Sequence, residues 1–253
     1  MSQYTFLLLF LNDNIIEKFK KPNILRKSME IQTKEQGLRA KVGRTELIVE
    51  HKGKDLTFID PPQGPNTYFI VAEALDKEGL KKPTMAENAS LVYSAWQNPD
   101  NAYSKKIIDI LKSNWLWGFN GILYIPKEGA YIEDCPSIKD GRVVMDKSGL
   151  VKRLESKDSS VRFVKFGFET DGQTSSKFAK NRFVIGLAEE EGAEKLAKVA
   201  EKYRYSPYVF SFKNVDSEII RVSALDSDYY DYRLRVLGDR YVDYRYGFAF
   251  GVL

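Results

Sequence analysis

The C-terminal part of the chain, residues 221–253, constrains the fold most, because its apolar residues follow a strand pattern. It reads RVSALDSDYYDYRLRVLGDRYVDYRYGFAFGVL. Leu234 and Val236 alternate with arginines, as expected of a strand with one buried face. A compact terminal strand is predicted over residues 247–252, and a break in the pairing at residues 238–239. The other apolar residues expected to anchor this backbone are Val222, Ala224, Leu225, Leu237, Phe248, Phe250 and Val252.

The polar residues between these anchors have the composition of a binding surface. Six of the 15 tyrosines lie in residues 221–253, together with five aspartates and five arginines and without a lysine. Tyrosine gives a large, rigid contact area with one polar atom, whereas serine, aspartate and arginine add adjustable hydrogen bonds, as in antibody paratopes. The alternative is that cross-strand tyrosine–arginine pairs simply stabilise a terminal sheet.

A ligand-binding surface is therefore predicted between Asp226 and Tyr246, since tyrosine and arginine are enriched at binding hot spots. Its residues are Asp226, Asp228, Tyr229, Tyr230, Asp231, Tyr232, Arg233, Arg235, Arg240, Tyr241, Asp243, Tyr244 and Tyr246. Four aromatic residues are predicted to support this surface from beneath, namely Trp115, Trp117, Phe248 and Phe250.

The first 60 residues are predicted to be a β-rich N-terminal segment. Two β-prone runs, 46–50 and 55–59, are joined by a turn at Gly53. A short helix near residues 15–19 is also compatible with the pattern. Prolines 61, 62 and 65 then interrupt regular structure, and we place the boundary of a second domain, residues 66–253, after them.

The rest of the chain mixes helices and strands, which predicts an α+β fold. Helices are predicted over 66–80, from Met85 to about Asn98, over 104–113 and over 189–203, the second one opened by a capping box of Thr84 and Glu87. Strands are predicted at 122–125 and 162–168, and the stretch from 126 to 160 is predicted to be loop-rich with one strand at 143–145. Residues 183–187 are a further apolar run, and WLWGFNG, residues 115–121, is predicted to be a packed turn in the core.

Composition argues against several kinds of site. The chain has one cysteine, Cys135, and one histidine, His51, so a zinc or haem cluster and an internal disulfide are not expected, and neither is any other metal or cofactor. The net charge of +4 comes from interspersed charges, unlike the basic stripe of a nucleic-acid binder. The apolar run at residues 5–11 is too short to cross a membrane and lacks the features of a signal peptide. We expect a cytoplasmic protein or a virion component.

Three segments carry a resemblance to a known family. The helix start at Pro83, Thr84 and Glu87, the WLWGFNG segment, and YGFAFGV near the C-terminus resemble the C-type-lectin-like fold of the formylglycine-generating type, over roughly residues 66–253. With its Tyr/Asp/Ser-rich tail, the chain is similar to the variable proteins of diversity-generating retroelements, in particular those of archaea and archaeal viruses.

The resemblance implies a function for the tail. In that family a reverse transcriptase copies a template with errors at adenines, so adenine-rich codons are replaced by codons for tyrosine, aspartate, serine, arginine and others. It implies that these positions in about 221–253 vary and that the surface binds a protein or a cell-surface ligand, as in attachment. Gln97-Asn98-Pro99 does not match the calcium motif of animal lectins, and a lone cysteine does not fit the cysteine chemistry of formylglycine-generating enzymes. We expect neither activity.

Two other functions remain as alternatives. An enzyme would need a cluster of ionisable groups, and the densest one is Asp239, Arg240, Asp243 and Arg245, whose alternating signs favour salt bridges. A binder of single-stranded nucleic acid would use tyrosine for stacking and arginine for phosphates, but the five aspartates of the tail repel phosphate.

Overall fold

A computed structural model of the protein describes residues 39–41, 46–227 and 232–253, the first three by their backbone alone. The predicted helix near residues 15–19 and the apolar run at 5–11 lie outside these residues. In the part of the chain that the structure describes, no helix is long and apolar enough to cross a membrane.

A small antiparallel sheet comes first in the described chain. It has the order β1-β2-β3, with strands Arg39–Lys41, Glu46–His51 and Lys54–Ile59. The hairpin of β2 and β3 is confirmed, and it turns through Lys52 and Gly53, which both have left-handed backbone angles. Phe58 pairs with Val252, so the hairpin is joined to the C-terminal residues.

A short strand and three helices follow, each helix capped by a side chain. Their bounds are Gln63–Asn66 for β4, Tyr68–Lys77 for α1, Met85–Gln97 for α2 and Ala102–Ser113 for α3. The predicted capping box is confirmed, because the Thr84 hydroxyl accepts from the Glu87 N–H and the Glu87 carboxylate accepts from the Thr84 N–H. It sets the start of α2, which ends just before Asn98-Pro99.

The middle of the chain differs most from the sequence-based prediction. It contains β5 Trp115–Ile125, β6 Gly129–Asp134, β7 Ser137–Lys139, β8 Arg142–Val144, α4 Lys147–Glu155 and β9 Val161–Lys165. The prediction of a packed turn at residues 115–121 was wrong, because these residues begin an 11-residue strand that is covered on both sides. The loop-rich prediction for 126–160 was also wrong, since this stretch forms β6, β7, β8 and α4, and Ala130 and Ile132 of β6 and Leu150 of α4 are buried in the core.

The last third of the chain supplies most of the main sheet. Its elements are β10 Asp171–Gly172, α5 Ser175–Ala179, α6 Arg182–Ala200, β11 Tyr208–Phe210, β12 Ile219–Asp226, β13 Arg235–Arg240 and β14 Gly247–Ala249. Helix α6 begins before the predicted 189–203, after the cap residue Asn181, and it is kinked at Glu189. The predicted break at residues 238–239 was wrong, because both residues belong to β13.

The main sheet has the order β10-β11-β13-β12-β5-β14-β4, and β6 and β9 continue it from β5. Neighbouring residues of a strand face opposite sides of a sheet, and both sides are buried near the centre. One core lies between the sheet and α2, α3 and α6 and contains Leu116 and Val236. The other core lies on the side of α1 and contains Trp117 and Leu237. The chain is therefore a mixture of helices packed on antiparallel and parallel strands, as predicted.

Candidate ligand-binding surface

Aromatic rings and arginines are joined by direct contacts along β11, β13 and the segment after β13. We call this set the aromatic–arginine surface. It consists of Trp115, Tyr205, Tyr208, Phe210, Arg233, Arg235, Arg240, Tyr241, Tyr244 and Tyr246. We include Tyr232 as well, because its carbonyl accepts a hydrogen bond from the Tyr205 N–H at 3.2 Å. Strands β11 and β13 run parallel, with Tyr208 opposite Arg235 and Phe210 opposite Leu237. Two segments that are distant in sequence therefore form one surface.

Each arginine of β13 lies against an aromatic ring of this surface. The Cζ atom of Arg240 is 5.0 Å from the centroid of the Trp115 ring and 5.8 Å from that of Phe210. Arg235 is 5.5 Å from the Phe210 centroid on the same measure. Contacts of this kind attract a guanidinium to the face of a ring, so they hold the long arginine side chains in defined positions.

Four tyrosines of the surface are well exposed. The exposed fractions are 54% for Tyr232, 50% for Tyr241, 39% for Tyr244 and 60% for Tyr246. Solvent therefore reaches these side chains, as a ligand-binding role requires. Asp243 and Arg245 between them are exposed as well.

Tryptophans lie beneath two of these tyrosines. The half-buried Trp115 ring is 5.0 Å from the Tyr244 ring and 6.1 Å from the Tyr246 ring, centroid to centroid, and both pairs meet edge to face. Trp115 also contacts the fully buried Trp117 at 5.5 Å. The Trp117 Nε1–H donates to the Asn66 carbonyl at 3.2 Å. The two tryptophans thus connect the exposed rings to the core.

Phe248 and Phe250 hold the C-terminal strand in a different way. Phe250 is fully buried in the core on the α2 side of the sheet, and Phe248 packs against that core. These two residues anchor the backbone on either side of Ala249, rather than forming the layer under Tyr244.

Asp226 is not displayed, which corrects its predicted role as an exposed ligand-binding residue. Its exposed fraction is 3%. Its two carboxylate oxygens accept hydrogen bonds from Nε and Nη2 of Arg235, both at 2.6 Å. A buried carboxylate needs such a partner to offset its desolvation. Arg235, with a side chain 19% exposed, is largely engaged in this internal pair.

The remaining predicted positions divide into two groups. Arg233 and Arg240 are half-buried parts of the aromatic–arginine surface. The other group, which lies outside the described residues, comprises Asp228, Tyr229, Tyr230 and Asp231.

Sequence reasoning missed the contribution of β11 and the residues before it. Tyr205, Tyr208 and Phe210 belong to the surface although they precede residue 221. The Tyr208 hydroxyl donates to Asp171 at 2.7 Å, and this hydrogen bond raises the pKa of Tyr208 because it favours the protonated phenol. The signal was present in the sequence, since aromatic residues recur at 203, 205, 208, 210 and 212.

Asp239 and Arg240, two members of the predicted ionisable cluster, form an ion pair. Arg240 Nε donates to Asp239 Oδ1 at 2.9 Å. Among the described residues, no group of three histidine, cysteine, aspartate or glutamate side chains is placed to hold a metal ion. Cys135 is an exposed residue, but partial burial of its thiol and the nearby carboxylates of Asp134 and Glu87 raise its pKa to about 11.

Comparison with known proteins identifies the fold. No protein-family model matches the chain, and no curated protein matches it. A solved structure, described as the accommodation of massive sequence variation in Nanoarchaeota by the C-type lectin fold, aligns with 77% of this chain and 99% of its own length. The TM-score is 0.51 and the sequence identity 13%. The likeness therefore lies in the fold, and the predicted C-type lectin-like architecture is confirmed at that level.

Proposed function

We propose that this chain is a ligand-binding protein whose binding site is the aromatic–arginine surface on a C-type-lectin-like scaffold. One observation carries the proposal: Tyr232, Tyr241, Tyr244 and Tyr246 are exposed, while Leu234, Val236, Ala249 and Phe250, close to them along the chain, are fully buried. Large aromatic side chains on a fixed backbone lose little conformational entropy on binding, which makes them effective contact residues.

The backbone around these tyrosines is held on both sides. Leu234 and Val236 on one side and Ala249 and Phe250 on the other have exposed fractions of 0%. The connection between β13 and β14 therefore starts and ends in the core. Val242 in this connection packs against the core, whereas the neighbouring side chains of Tyr241, Asp243, Tyr244, Arg245 and Tyr246 are exposed. These exposed side chains can change while the core residues on either side stay the same, which suits a surface that binds by its side chains.

We further propose that the chain is a variable protein of a diversity-generating retroelement, of the formylglycine-generating type of C-type lectin fold. The description of the structural neighbour as accommodating massive sequence variation supports this, although that description concerns the neighbour. The positions proposed to vary are the exposed ones from Tyr232 to Tyr246. Asp226 is excluded from them, because it is buried and its carboxylate accepts two hydrogen bonds from Arg235.

The gene's surroundings test the retroelement proposal. We expect a near-duplicate of the DNA that encodes the tail, differing from it at adenines, beside a reverse-transcriptase gene. A genome that carries the gene without either element contradicts this part of the proposal and leaves ligand binding untouched. Neighbouring genes that encode capsid proteins would assign the chain to a virion, and neighbouring genes of cellular metabolism would assign it to the cytoplasm.

We also propose that the protein is not an enzyme. The ionisable residues predicted as the densest cluster are engaged in part in an internal pair, Asp239 with Arg240, and a thiol with a pKa of about 11 is a poor nucleophile at neutral pH. A hydrolytic or transfer activity that is lost on replacing Asp239 or Asp243 would contradict this.

Binding is tested by selecting partners and then removing the tyrosines. A phage-displayed library of random peptides is selected on the full chain, and each binder is measured against wild type and against the triple variant Tyr241→Ser, Tyr244→Ser, Tyr246→Ser. We expect most binders to lose about tenfold or more in affinity for the triple variant. Phe163→Ser is the matched control, because Phe163 is 41% exposed on β9. Binders that are indifferent to the tyrosines would refute the proposal.

The same variants separate surface residues from core residues. The triple variant should unfold within about 1 kcal/mol of wild type, because the three tyrosines are exposed and their rings contact one another, Trp115 and Arg221 rather than fully buried residues. Phe250→Ala should cost about 3 kcal/mol or more, because it empties a fully buried site. If the triple variant is the less stable of the two in urea unfolding, the tyrosines are structural.

A further inference from the structure

Two arginines flank the Phe210 ring, and they differ in what their guanidinium groups bind. Arg235 lies 5.5 Å from the ring centroid and Arg240 lies 5.8 Å from it. Arg235 holds the Asp226 carboxylate through two hydrogen bonds of 2.6 Å. The surface thus contains its own example of an arginine that rests on an aromatic ring and binds a carboxylate with two hydrogen bonds.

Arg240 is also held by neighbouring residues, but its terminal nitrogens donate no hydrogen bond to the described part of the chain. Its guanidinium lies over Trp115, 5.0 Å from the centroid, and its Nε donates to Asp239. No residue in the described part of the chain accepts a hydrogen bond from either Nη atom of Arg240. About a fifth of the side chain, 20%, remains exposed. The guanidinium is therefore fixed in position while its outer edge retains its donors.

We infer that Arg240 is a preformed anchor for a carboxylate of a protein partner, supplied by an aspartate or glutamate side chain. The two Nη atoms form a planar fork whose spacing matches the two oxygens of a carboxylate. Because Asp239, Trp115 and Phe210 already hold the side chain, binding does not have to immobilise it, and this lowers the entropic cost of association. The inference rests on the proposed function and specifies the chemistry of its ligand.

The neighbouring residues favour a protein carboxylate over a nucleic-acid backbone. Asp239 lies next to the anchor, and the exposed Asp243 is in the following segment, so a row of phosphates would meet more repulsion there than a single carboxylate paired with Arg240. Tyr244 packs on the same Trp115 ring as Arg240. An acidic side chain bound at Arg240 would thus leave the rest of its partner against exposed tyrosine rings.

The test uses the tyrosine-dependent peptides obtained on the full chain. Each is measured against wild type, Arg240→Lys and the control Arg182→Lys, an exposed arginine at the start of α6 on the other side of the sheet. Lysine keeps the charge but lacks the fork. We expect Arg240→Lys to weaken binding by about tenfold or more and Arg182→Lys by less than about twofold.

The peptide is then changed as well, which completes a double-mutant cycle. Replacing its aspartate or glutamate by asparagine or glutamine should cost about tenfold with wild type and much less with Arg240→Lys. Peptides that depend on the tyrosines but show no coupling between a carboxylate and Arg240 would overturn this inference and leave the proposed function standing. A selection with no tyrosine-dependent peptide would overturn both.

A separate titration with a random single-stranded DNA of about 20 nucleotides distinguishes the phosphate alternative. We expect weaker binding to this DNA than to the peptides, with little effect of Arg240→Lys. Tight binding that falls steeply with added salt and depends on Arg240 would assign the anchor to phosphate and overturn the inference.

Discussion

Replacing Gly247 by alanine tests the support beneath the exposed tyrosines, because this glycine lies against the Trp117 ring. Gly247 is the first residue of β14, where it pairs with Trp115 on β5 and with Asn66 on β4. A Cβ atom added there would lie 1.9 Å from Nε1 of Trp117 and 2.1 Å from its Cε2 atom. These separations are far below van der Waals contact, so the indole or the strand must move.

The indole has little room to move. Trp117 is fully buried, its ring contacts those of Tyr68 at 5.6 Å and Trp115 at 5.5 Å, and its Nε1–H is bonded to Asn66. Overpacking a core position costs about 1–3 kcal/mol, and losing a buried hydrogen bond adds about 1 kcal/mol. We therefore expect Gly247→Ala to lower the free energy of unfolding by about 3 kcal/mol, equivalent to roughly 6–12 °C in Tm for a chain of this size.

The measurement is urea unfolding followed by tryptophan fluorescence, with Gly172→Ala as the control. At Gly172 an added Cβ atom meets nothing closer than 3.8 Å, from the Tyr208 ring. We expect this control to stay within about 0.5 kcal/mol of wild type. If Gly247→Ala is as stable as Gly172→Ala, Trp117 is not clamped between β14 and α1, and the argument for a rigid support fails.

Three further predictions concern buried or shifted groups. Asp226→Ala should cost about 3 kcal/mol in urea unfolding, because it removes a buried carboxylate that accepts two hydrogen bonds from Arg235; a loss below about 1 kcal/mol would contradict this. Burial and the charges of Lys52 and Lys195 lower the pKa of His51 below 6.5. The unfolded state therefore binds more protons than the folded state as the pH falls through 6.5, which favours unfolding. The free energy of unfolding should drop between about pH 7.5 and 5.5, and it should drop more in wild type than in His51→Gln. Equal drops would contradict the shift. Cys135, with its pKa of about 11, should react with iodoacetamide roughly a hundredfold more slowly than free cysteine at about pH 8, and an equal rate would show an ordinary thiol.

Local patterns in the sequence predicted local structure well. The capping box at Thr84 and the alternation around Leu234 depend on residues that are close together in the chain, and the structure has both features. The prediction of a turn for the WLWGFNG segment failed because a strand covered on both sides does not alternate between apolar and polar residues. Its glycines, which suggested a turn, make room for neighbours such as the Ser223 side chain next to Gly118.

The candidate site shows a second limit of sequence reasoning. Composition identified the tail, but it gave Asp226 the same role as the other aspartates, and only the antiparallel pairing of β12 with β13 places it opposite Arg235. Likewise, Tyr208 and Phe210 reach the surface through a parallel pairing with β13 across a long stretch of intervening chain. The periodicity within one segment does not indicate which distant strand it pairs with.

This parallel pairing also limits how far the surface can be altered. If the proposed variation is confined to residues 221–253, it can change β13 and the segment after it, whereas Tyr205, Tyr208 and Phe210 would stay the same in every variant. All variants would then share the same aromatic residues on and before β11, and each would differ in the residues beside them on β13 and after it. Such variants would bind related partners, because all of them share the contacts made by β11. Their selectivity would differ through the residues of the adjacent strand β13 and of the segment after it.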